Sequence, residues 1–165
     1  MVRWQFWVPM TVLLLVLSIV AAQNRTDFSG HWSLVTSQSG GGGGGRSGSR
    51  GNEGVKVSYV SGAAINCGIE CTIVQDPKAL KILGPVHQQG MKFPDVVLSL
   101  DGRESTVAQF LKTLAKWDGD KLVVTSSMGS STATQTMSVE DGKLTIVTIF
   151  NVEGFPPLTL TYVKR

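Results

Sequence analysis

The chain has 165 residues, with 15 Lys and Arg against 12 Asp and Glu, for a formal net charge of +3. Its basic residues do not cluster, apart from Arg46 and Arg50, so the composition gives no argument for nucleic acid or acidic substrates as partners. The length remaining after a short leader suits one domain with a real core.

The leader is residues 1–22. Arg3 precedes an apolar run broken mainly by Thr11 and Ser18, and Val20-Ala21-Ala22 places small residues before Gln23. Charged start, short apolar centre and small-residue end are the pattern of a secretory signal peptide. The competing reading is a retained anchor, which needs roughly 20 apolar residues. The dense apolar part, residues 12–20, is shorter than that. Residues 23–165 are therefore expected to form an exported domain, periplasmic or secreted, with no membrane span after cleavage. Asn24-Arg25-Thr26 fits the N-glycosylation acceptor pattern.

The first strand covers residues 28–35. Phe28, Gly30, Trp32 and Leu34 share one face, and Ser29, His31, Ser33 and Val35 share the other. Residues 38–54 include six consecutive glycines, from Gly40 to Gly45. Such a stretch has little to bury, and a flexible loop is expected there. Arg46-Ser47 after glycines lacks the Lys and the flanking strand and helix of a phosphate-binding loop.

Val55, Val57 and Tyr59 alternate with Lys56, Ser58 and Val60 as a second strand. Cys67 and Cys71 are the only cysteines. In an exported domain two cysteines are expected to pair. A straight strand would hold their Cα atoms roughly 13 Å apart, beyond the ~7 Å limit, so the segment must turn. Residues 72–75 and 79–83 read as a hairpin around Asp76-Pro77-Lys78. Residues 96–100 form a strand closed by Asp101-Gly102.

From residue 109 the pattern is strand, turn, strand. Leu111, Thr113, Ala115 and Trp117 share a face, with Lys112 and Lys116 opposite. Asp118-Gly119 reads as the following turn and Asp141-Gly142 as a later one, the strongest short-range hairpin signal. Between them, Leu122, Val124, Ser126 and Met128 share a face. Ala133, Gln135, Met137 and Val139 then oppose a stripe of Thr132, Thr134, Thr136 and Ser138. Leu144, Ile146, Thr148 and Phe150 form an inner row, as do Leu158, Leu160 and Tyr162 in the last strand. The fold class is all-β: an antiparallel up-and-down meander of about 8–10 strands, closed as a barrel because an open meander leaves edges. A two-layer sandwich is the alternative.

Three stretches carry a family resemblance. They are the opening Gly30-His31-Trp32, then Lys116-Trp117-Asp118-Gly119 with Glu140-Asp141-Gly142-Lys143-Leu144, and finally Thr159-Leu160-Thr161-Tyr162-Val163-Lys164. Together they resemble the calycins, the superfamily of lipocalins and fatty-acid-binding proteins. The resemblance implies a lipocalin-like barrel with an interior for a small apolar ligand. It also implies a basic residue from the last strand, Lys164 or Arg165, packing over Trp32. Fatty-acid-binding proteins carry an Arg-x-Tyr pair on that strand for the ligand carboxylate. Here Leu160 stands in place of the Arg, and only Tyr162 remains.

Catalysis is not expected. His31 and His87 are the only histidines, His31 on the face opposite Trp32 and His87 in a loop. The acidic residues sit mainly in turns, where local backbone hydrogen bonding favours them. No cofactor, metal site or catalytic residue is assigned. Trp32, Tyr59, Trp117, Phe150 and Tyr162 either line an interior site or fill the barrel as core. Two functions stay open: binding of a small hydrophobic ligand, or a non-catalytic structural or interaction module of the cell envelope with a filled core.

Overall fold

The computed structural model describes residues 25–39, 64–65, 67–86, 94–107 and 110–165. The expected signal segment, the stretch 40–54, the strand at 55–60 with Tyr59, and His87 lie outside the described residues. The strands are β1 (Gly30–Ser39), β2 (Glu70–Gln75), β3 (Ala79–Val86), β4 (Val96–Ser99), β5 (Glu104–Val107), β6 (Leu111–Asp118), β7 (Lys121–Met128), β8 (Ser131–Glu140), β9 (Lys143–Phe150) and β10 (Leu158–Lys164).

All ten belong to one antiparallel sheet of order β4-β3-β2-β1-β10-β9-β8-β7-β6-β5. β1 pairs on one side with β2 and on the other with β10, which joins the two ends of the chain. The terminal strands β4 and β5 are consecutive in sequence and approach each other. There the Ser99 N–H donates to Ser105 Oγ at 3.0 Å. The result is a nearly closed barrel, as the meander pattern predicts, and not a sandwich.

Alternation places the walls. In β7 the buried residues are Leu122, Val124 and Ser126, and in β9 they are Leu144, Ile146 and Thr148. The Thr stripe of β8 faces outward or sits half-buried, while Ala133, Gln135 and Met137 face in. One continuous core joins Leu122, Val124, Met137, Leu144 and Ile146 to Phe28, Trp32, Ile73, Leu80, Ile82, Leu98 and Tyr162.

Three local expectations change. The glycine-rich stretch was placed from residue 38, yet Gln38 and Ser39 belong to β1, paired with Thr159 and Leu158 of β10. The register with β10 shifts between Leu34 and Thr36, a bulge that lets β1 continue past Val35. The β6–β7 turn is Gly119-Asp120, one residue later than expected, because Asp118 pairs with Lys121. Of those two turn residues only Gly119 has positive φ, at 61°, which suits a turn with glycine first. At the β8–β9 turn both Asp141 and Gly142 have positive φ, at 50° and 71°, as the Asp-Gly signal implies. Finally, the strand expected from residue 109 is β6, and it pairs with β5, a strand that was not expected.

Candidate functional site

The β2–β3, β4–β5, β6–β7 and β8–β9 turns share one end of the barrel, and Phe28 plugs it. Phe28 is fully buried, and its ring stacks on Trp117 at 5.9 Å between centroids. Its carbonyl accepts the Trp32 Nε1–H at 2.8 Å. Gln75 fixes the same segment: its Oε1 accepts the Phe28 N–H at 3.1 Å and its Nε2 donates to Thr26 C=O at 3.0 Å. Arg25 lies over the outer side of Trp117, with Cζ 5.6 Å from the ring. A cleft of about 360 Å³ opens here between Arg25, Asp27, Gln75, Asp76, Leu100 and Trp117. Its two carboxylates are engaged in turns. Asp27 accepts hydrogen bonds from Ser29, which hold it below the ordinary value of 3.8. Asp76 is held below 3.8 by the Lys78 and Ala79 N–H groups that it caps.

The interior wall combines apolar side chains with a slanting polar row on four adjacent strands. Thr113 on β6 pairs across the ladder with Ser126 on β7, and Gln135 on β8 with Thr148 on β9. All four are buried. Thr113 donates to the Ser105 carbonyl at 3.3 Å, and Gln135 Nε2 donates to Thr148 Oγ1 at 3.1 Å. Ser126 Oγ, by contrast, is buried with no hydrogen-bond partner among the described residues, as is Ser33 Oγ. Among the described residues no Asp, Glu, Lys, Arg or His is buried. At the end opposite Phe28, Ile65 and Cys67 are buried in the interior before β2. Ile65 is 6% exposed, and its N–H and C=O both bond to the Gln135 amide, at 2.7 and 2.6 Å.

The residues singled out from sequence separate in space. Trp32 and Tyr162 lie in the core at 1% and 0% exposure. The Tyr162 hydroxyl donates to Gly68 C=O at 3.2 Å. Trp117 is half-buried at the Phe28 end, and Phe150 is half-buried at the opposite end, 6.2 Å from Phe155. Leu160 is buried in the wall where a ligand-binding Arg would stand. Lys164 is the basic residue over Trp32, with Nζ 5.8 Å from the ring, while Arg165 pairs with Glu70 at 3.0 Å. Cys67 and Cys71 form a disulfide with Cα atoms 5.0 Å apart. His31 is exposed, its Nδ1 3.2 Å from Thr72 Oγ1.

Gln135 and Ile65 were not singled out from sequence. Gln135 did carry a signal: it is the one amide in a row otherwise made of Ala133, Met137 and Val139. Such a residue must find a partner inside.

Solved structures share this architecture. A single-substitution mutant of the fluorescent protein UnaG matches with a TM-score of 0.56 at 16% identity, covering 84% of this chain and 96% of that one. The fatty acid transporter REP1-NXSQ matches with 0.53 at 17% identity, covering 83% and 95%. The fold is the one that these solved structures share. Human cRBP IV gives 0.51 at 16% identity, covering 85% of this chain and 99% of that one. At such identities the likeness concerns the fold alone. No protein-family model and no curated protein matches the sequence.

Proposed function

We propose that the chain is an exported calycin barrel that holds a small, uncharged, largely apolar ligand in its interior. The observation that carries this reading is the wall chemistry. Apolar side chains surround a neutral polar row, and Ser126 Oγ is buried there without a partner among the described residues. An unpaired buried hydroxyl costs on the order of 1–3 kcal/mol, which a ligand's polar group would recover. A carboxylate finds no buried cation among the described residues, since Leu160 stands in the wall where one would be expected. Its desolvation would go unpaid by any partner charge. The comparison with a fatty acid transporter supports an apolar ligand, and the wall disfavours the acid form. Export is supported by the leader pattern and by the Cys67–Cys71 bridge.

Titration with dodecanol and dodecanoate, followed by the fluorescence of Trp32 and Trp117, tests the reading. Saturable binding of dodecanol, stronger than that of dodecanoate at neutral pH, is expected. Preference for dodecanoate would overturn the uncharged-ligand reading, and binding of neither would overturn ligand binding.

A second reading, a structural or interaction module with a filled core, is favoured by one observation. Ile65 and residues 67–69 already occupy part of the interior.

A further inference from the structure

Ile65 lies ahead of β2 and meets the barrel wall at Gln135 of β8. Its N–H donates to Gln135 Oε1, and its C=O accepts from Gln135 Nε2, so one side-chain amide engages both polar atoms of one residue. Three residues on, Gly68 C=O accepts the Tyr162 hydroxyl on β10. Ile69 C=O then accepts the Leu34 N–H on β1 at 2.8 Å. Ile65, Gly68 and Ile69 thus touch β8, β10 and β1 in turn. The Cys67–Cys71 bridge, with its 5.0 Å Cα separation, folds the segment back so that it reaches inward before β2 begins.

The chemistry of this contact differs from that of a core strand. Ile65 belongs to no strand, and its two polar bonds all run to a single side chain. Without Ile65 the Gln135 Nε2 keeps Thr148 Oγ1, but its buried Oε1 loses its donor, and a buried polar atom left unpaired is costly. Gln135 therefore ties departure of the segment to arrival of another donor and acceptor. A neutral ligand that offers both can take the place of Ile65, and a purely apolar one cannot.

We propose that Ile65, with residues 67–69 behind it, is an internal plug that competes with the ligand for Gln135, so that ligand entry displaces Ile65 from the wall. This rests on the ligand-binding reading above. It reconciles that reading with the partly filled interior, because the filling is exchangeable.

The test uses the full mature chain, with dodecanamide as probe. Its N–H and C=O reproduce the pair that Ile65 presents. Amide hydrogen exchange of Ile65 is followed by NMR, and binding by calorimetry. Saturation with dodecanamide is expected to speed Ile65 exchange by about ten-fold or more, as local opening does. The Ile65→Ala chain, with its plug weakened, is expected to bind dodecanamide about five-fold tighter. Binding that leaves the Ile65 N–H as protected as before overturns the plug and leaves ligand binding standing. So does an Ile65→Ala chain that folds and binds no tighter. Absence of binding in both chains overturns plug and ligand together. The exchange measurement uses the unaltered chain, so it decides the matter even where Ile65→Ala fails to fold.

Discussion

Lys164 crosses Gly30 and ends above the ring of Trp32. The ammonium lies 5.8 Å from the ring centroid, and Trp32 and Lys164 are direct partners across β1 and β10. A cation over Trp contributes about 0.5–1 kcal/mol at an exposed site. The path requires a residue without a side chain at position 30. A β-carbon there would overlap Lys164 Cε, and Gly30 has φ 150°. Gly30→Ala should therefore cost about 1–3 kcal/mol, part steric and part backbone strain. In urea unfolding, Lys164→Ala should relieve only the steric part, giving a non-additive double-mutant cycle. A Gly30→Ala chain as stable as the parent would refute this account.

Gln135 should be the most costly polar position in the wall. Gln135→Leu leaves the Ile65 N–H and C=O without their partner and frees the Thr148 hydroxyl. A loss of about 2–4 kcal/mol is expected, against about 1 kcal/mol for Thr148→Val, which removes a single bond. Parallel urea titrations decide it, and equal losses would show that the Ile65 contact adds nothing.

The two residues of that contact differ in how far sequence reveals them. Gln135 was legible as an inward residue because its neighbours at every second position are apolar. Its partner was not legible, since Ile65 lies 70 residues away and no local pattern marks 64–65 for burial. The hairpins from β6 onward were legible because alternation and turn glycines agree. β5 was missed because Arg103-Glu104-Ser105-Thr106 is polar and only Val107 of the strand is buried. The pairing of β1 with β10 is long-range, yet the resemblance that put Lys164 or Arg165 over Trp32 pointed to it; the pairing of β1 with β2 had no such pointer. The one-residue error at Gly119-Asp120 arose because either Asp-Gly or Gly-Asp fits a two-residue turn, and only the pairing of Asp118 with Lys121 decides between them.

The Cys67–Cys71 bridge closes a very short loop, with a sequence separation of 4. Chain entropy then gives about 2 kcal/mol, near the low end for disulfides. A Cys67→Ser, Cys71→Ser chain should fold and lose about that much in urea unfolding. Both cysteines should also resist alkylation in exported protein until a reductant is added. Two thiols that alkylate without reductant would refute the bridge in that material.

Acid should weaken the barrel through its turns. Asp101 accepts from the Ser99 hydroxyl and the Arg103 N–H, which hold it below 3.8, as their own hydrogen bonds hold Asp27 and Asp76. Each carboxyl is more acidic in the folded chain than in the unfolded one. Its stabilising effect is thus complete above the unfolded value and is lost as pH falls through the lower, folded value. Urea midpoints should be flat from about pH 7 to about pH 5 as far as these groups are concerned, and should fall below about pH 4. Asp76→Asn keeps an oxygen to cap Lys78 and Ala79 but removes the charge. Its deficit against the parent at neutral pH should therefore shrink toward zero near pH 2. A deficit that persists undiminished in acid would mean that the Asp76 charge is not what stabilises the β2–β3 turn.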